Sequence, residues 1–113
     1  LGNGHLYILW TSGDPVTAEK MVFMYAINSL KKKWWDKVTL VVWGAAAQLA
    51  GQDAKIQKKL KEAQKVGVHV AACKACADQL GVTEVLENLG VEVIYWGGPL
   101  TEVLKKGEKL LTI

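Results

Sequence analysis

The 113-residue sequence contains no arginine. All fourteen of its basic residues are lysine, set against eleven acidic residues, and the net charge is +3. Arginine's planar fork is the usual reader of guanine edges and the bidentate partner of phosphate. Its absence argues against specific nucleic-acid recognition. The lysines gather within 31–33, 55–61 and 105–109, where they read as solvated helix faces. Cysteine is scarce as well, since two residues are too few for a secreted disulfide framework. No charged n-region, apolar core and cleavage site open the chain, so a cytoplasmic location is expected. The longest apolar runs, 38–44 and 91–96, fall far short of the ~20 residues that span a bilayer, and no membrane partner is expected. With two histidines and no G-x-S-x-G, a Ser-His-Asp hydrolase is unsupported. There is neither a G-x-G-x-x-G nor a Walker loop, so no nucleotide cofactor is expected.

Half of the residues are hydrophobic and 22% are charged, the balance of a folded single domain over 1–113. Short apolar runs stopped by turn chemistry read as buried strands at 5–10, 38–43, 68–72 and 91–96, with a short fifth at 109–113. Helical spacing occupies the intervals. Asp14 and Pro15 stand as N-cap and first residue of a helix over 15–32. A small helix follows at 45–50, then one over 53–66 with Ile56, Leu60 and Ala63 on one stripe, closed by Gly67. Further helices are expected at 74–80, ending at Gly81, and at 83–89, opened by Thr83 as N-cap. Gly97-Gly98-Pro99 is expected to turn the chain into 100–106. Strands alternating with helices imply an α/β fold, a three-layer α/β/α sandwich around a mainly parallel sheet of about five strands.

In such sheets ligands bind beyond the carboxyl ends of the strands. Those ends carry Trp10 to Asp14, Trp43-Gly44, Cys73, and Trp96-Gly97-Gly98. A thiol at the start of a helix meets free N–H groups and the positive end of the helix dipole, which favour the thiolate, the nucleophilic form. Lys74 adds a neighbouring positive charge. The competing reading makes Cys73 a small buried hydrophobe that ends a strand. Cys76, one turn on, either faces Cys73 as a resolving thiol or simply packs. A zinc site built on His69, Cys73 and Cys76 lacks a fourth ligand, so no metal is expected, and His69 is expected to be a core residue bonded to backbone. Trp10, Trp43 and Trp96 are expected to wall an apolar pocket around Cys73, and Trp34-Trp35 after three lysines suggests self-association.

The strand ending in cysteine, the following "CKACADQLGV", and "LGVEVIYWGGPLTEVLKKGEKLLTI" to the end together resemble the DsrE/DsrF-like family of small sulfur-relay proteins. "ILWTSGDP" and "LVVWGAAAQL" extend the resemblance over nearly the whole chain. It implies a Rossmann-like domain that assembles as a homo-trimer or hexamer and works between sulfur donor and acceptor proteins. In relay members the cysteine heading the helix after the third strand carries a persulfide, and Cys73 matches it, with the family's spacing to Gly81 and Val82. On this reading Lys74 and the helix N–H groups stabilise the sulfur anion. Ser12, Gly13, Gly44 and Gly97, with Trp43 and Trp96, shape the pocket. The alternatives are a dithiol redox module of Cys73 and Cys76, and a non-catalytic oligomeric binding subunit.

Overall fold

In the computed structural model, which describes residues 4–113, five strands form one sheet. They are β1 (His5–Trp10), β2 (Lys37–Val42), β3 (His69–Cys73), β4 (Glu92–Ile94) and β5 (Lys109–Thr112). Their order is β4-β3-β2-β1-β5, and every pairing is parallel. β2 lies in the middle, and all of its residues after Lys37 are buried, as a β-branched strand covered on both faces should be. β4 is an edge strand paired only with the last three residues of β3, which is why it is shorter than the expected 91–96.

Register sorts the side chains onto two faces, because alternate residues of a strand point in opposite directions. Trp10, Val42, Ala72 and Val93 lie across from one another on one face. Leu9, Val41 and Ala71 form the corresponding row on the other, with Cys73 two residues beyond Ala71. The first face holds the main core. It is covered by a long helical rod, by α3 (Ala45–Gln52) and α4 (Ala54–Lys65), and by α5 (Lys74–Leu80) and α6 (Thr83–Asn88). Among the described residues α7 (Gly97–Lys105) is the one helix laid over the second face, whose smaller cluster is Val41, Ala71, Cys73 and Trp96.

The rod starts where Asp14 caps it, the carboxylate accepting from Thr17 N–H at 3.0 Å and from the Thr17 hydroxyl at 2.7 Å. It was expected to be one α-helix. It proceeds instead as α1 (Pro15–Thr17), a π-helical segment (Ala18–Phe23) and α2 (Met24–Lys31). The wider π winding fits an extra residue into the turn, and both Val22 and Phe23 are fully buried there. In α4 the expected stripe of Ile56, Leu60 and Ala63 is buried, and Asp53 caps the helix by accepting from Lys55 and Ile56 N–H.

Three local expectations are corrected. Thr83 is the first residue of α6, not its cap, because its hydroxyl donates to Asp78 on the preceding helix. Gly97-Gly98-Pro99 is the first turn of α7, where proline's missing N–H costs no helical hydrogen bond. Trp43 lies just past β2. No helix among the described residues is long and apolar enough to cross a membrane.

Candidate functional site

Strand β3 passes into α5 with no intervening loop. Cys73 is at once the last strand residue and the helix N-cap, with extended backbone at φ −74 and ψ 119. Its side chain makes no capping hydrogen bond and is only 4% exposed. Cys76, the third helical residue, is half-buried and packs against the same small cluster that contains Cys73. Both thiols are free and line a groove of ≈ 570 Å³. Its opposite wall is the β2–α3 junction, with Trp43, Gly44 and Gln48.

Gly44 organises that wall. Its φ of +64 lies in the region that L side chains avoid, and this conformation turns the chain from β2 into α3. Gly44 N–H donates to Cys76 Sγ at 3.2 Å, a contact between residues 32 apart in sequence. Cys73 takes no capping N–H from its own helix, and the directed N–H goes to Cys76 from a neighbouring strand end. A donor of this kind orients a sulfur and complements negative charge on it.

Of the residues singled out from sequence, Cys73, Cys76, Gly44 and Trp43 meet in this groove. Trp96 is buried beside Cys73 in the second-face cluster, and its Nε1 finds no hydrogen-bond partner among the described residues. Trp10 belongs to the main core on the opposite face of the sheet, so it does not wall the cysteine site. Lys74 pairs with Asp78 at 3.0 Å, and Asp78 holds the ammonium's pKa above its ordinary value. Ser12 accepts from Asp14 N–H at 3.2 Å within its own loop. Gly13 sits against α3, where an added Cβ would lie 3.0 Å from Ala45 Cβ. Gly97 opens α7 with free space around it. None of Ser12, Gly13, Lys74 and Gly97 lines the groove.

Ala45, Gln48, Ala75, Gln79 and Leu80 complete the lining and were not picked out from sequence. The signal was spacing: Gln79 and Leu80 follow Cys76 by three and four residues, so they share its helix face. The histidines differ from expectation as well. His69 is exposed and pairs with Glu92 at 3.2 Å, while His5 Nε2 lies 2.7 Å from the Thr39 hydroxyl. Burial, with Lys37 nearby, holds the His5 pKa below its usual value. Among the described residues no group of three or more His, Cys, Asp or Glu is placed to hold a metal.

A profile of the DsrE/DsrF-like family matches residues 5–113. The chain belongs to the DsrE/DsrF-like family. A conserved protein of unknown function from Bacteroides thetaiotaomicron is 40% identical, with a TM-score of 0.95 over 96% of this chain and 94% of that one. A protein of unknown function from Methanobacterium thermoautotrophicum shares the fold at 15% identity, with a TM-score of 0.75 over 97% and 98% of the two chains. No curated protein matches. Membership in the DsrE/DsrF-like family suggests a sulfur-relay role. Within this DsrE/DsrF-like domain the groove offers two thiols, a directed backbone N–H and two side-chain amides, a set able to bind and exchange sulfur.

Proposed function

We propose that this chain carries sulfane sulfur as a persulfide on Cys73 between donor and acceptor proteins. The observation that carries the reading is the place of Cys73, at the carboxyl end of β3 and lining the groove. That is where open α/β sheets put their chemistry. The Cys73 thiolate attacks the outer sulfur of a donor persulfide. A new S–S bond forms on Cys73, the donor's S–S bond breaks, and the donor leaves as a thiolate. An acceptor thiolate then takes the outer sulfur by the same exchange and frees Cys73. Gly44 and Ala45 line the groove beside the two thiols, and such small residues suit the close approach of an extended cysteine-bearing tail.

Intact mass tests this reading after incubation with thiosulfate and a sulfurtransferase. The parent is expected to gain about 32 Da per sulfur, reversed by reductant, and Cys73→Ser to gain none. Equal sulfur uptake by Cys73→Ser would overturn it.

We also propose that the chain self-associates through the second sheet face. Among the described residues α7 is the one helix laid over that face, and Ile94, Tyr95 and Leu104 stand exposed at 39%, 65% and 59%. Apolar surface of this kind favours a protein partner, and a second copy is the partner every preparation contains.

A further inference from the structure

We infer that Cys76 is a resolving thiol that discharges the Cys73 persulfide as hydrosulfide and leaves a Cys73–Cys76 disulfide. The inference rests on the persulfide reading and adds the product that forms when no acceptor arrives. Both thiols are free, both line one groove, and Cys76 packs against the buried cluster that holds Cys73. Cβ atoms three positions apart on a helix lie roughly 5–6 Å apart. A disulfide needs about 3.5–4.5 Å. Cys73 is the cap and its backbone is extended at φ −74 and ψ 119, so its Cβ is not held at the helical spacing from Cys76. Cys76 is the more exposed of the two, and Gly44 N–H fixes its sulfur in the groove wall.

The step is an ordinary exchange. The Cys76 thiolate bonds to Cys73 Sγ, the bond from Cys73 to its outer sulfur breaks, and that sulfur departs with the electron pair and its proton as HS⁻. Exchange is faster when the leaving thiol is more acidic, and hydrosulfide is a better leaving group than an alkyl thiolate. Attack at the inner sulfur therefore has a favourable exit. Attack at the outer sulfur only moves the cargo from one cysteine to the other. A dithiol reductant, oxidised to its own disulfide, returns the pair to two thiols for the next round.

In the test, the parent, Cys76→Ser and Cys76→Ala are loaded with thiosulfate and a sulfurtransferase and freed of small molecules. Each is then followed by non-reducing intact mass, with hydrosulfide trapped by a bimane reagent. The parent is expected to fall from about 32 Da above its reduced mass to about 2 Da below it, releasing one hydrosulfide per chain. Both variants should hold the added sulfur at least about tenfold longer. Sulfur held equally long by the parent, or lost without the 2 Da deficit, overturns the inference and leaves the relay standing. Failure of the folded Cys76 variants to load any sulfur overturns both.

Discussion

Gly44 sits at φ +64 and ψ −136, and the nearest atom to an added Cβ there is Thr11 O at 3.9 Å. A methyl group would have room, so the cost of Gly44→Ala is backbone strain, about 1–3 kcal/mol for an L residue in this sparsely populated region. Relaxing that strain would swing the N–H away from Cys76 Sγ. Urea denaturation should show the loss of stability, and an unchanged midpoint would mean that the β2–α3 junction tolerates the strained conformation. Asp78 supplies a second test. The Thr83 hydroxyl, then the Lys74 ammonium, hold its carboxyl below the ordinary carboxylate pKa. A depressed folded-state pKa contributes stability that is present above the unfolded value and is lost as pH falls through the folded one. Asp78→Asn should therefore flatten the decline in urea midpoint below about pH 4. Equal acid losses in parent and variant would show that the pair contributes nothing.

The contact between α3 and the start of α6 depends on Gly51. A Cβ at this position would lie 2.5 Å from Val82 Cγ1 and 2.6 Å from its Cβ. Alanine gains about 1 kcal/mol over glycine in helix propensity. Overpacking a buried contact costs about 1–3 kcal/mol, and here the neighbour is a β-branched side chain that is 3% exposed. Gly51→Ala is expected to be destabilising on balance, and a raised melting temperature would show that the two helices slide apart freely. Asp53 ends one helix and begins the next, and its carboxylate satisfies two otherwise unpaired N–H groups of α4. Asp53→Ala should cost about 1 kcal/mol by thermal melting. A substantially smaller loss would place water in the cap's role.

For the whole molecule, unequal coverage of the sheet matters most. Among the described residues, five helical elements and the main core lie on one face, and one helix lies on the other. The proposed self-association predicts that the parent sediments as a trimer or hexamer and that Ile94→Asp with Leu104→Asp sediments as a smaller species with native circular dichroism. A monomeric parent at micromolar concentration would remove the proposal. Trp34-Trp35, from which self-association was first expected, contributes less apolar surface than its sequence suggests. Trp35 is half-buried and donates to the Tyr25 hydroxyl at 3.2 Å, which leaves Trp34 as the exposed ring.

Element type and order were legible in the chain, because periodicity, glycine stops and caps are local properties of a few neighbouring residues. The five strands, the Asp14 cap, the α4 stripe and the joint of strand and helix at Cys73 all follow from them. Which side chains share a site is a matter of distances across the sheet, and parallel pairing brings together residues tens of positions apart. Register sent Trp10 and Trp43 to different faces and aimed Gly44 N–H at Cys76 rather than at Cys73. Lys74 was drawn to Asp78 by a carboxylate one turn along the same helix, with no part in the groove. The cysteine pair was therefore readable as two thiols at the head of a helix. The neighbour that orients Cys76 came from another strand, a distance no local pattern encodes.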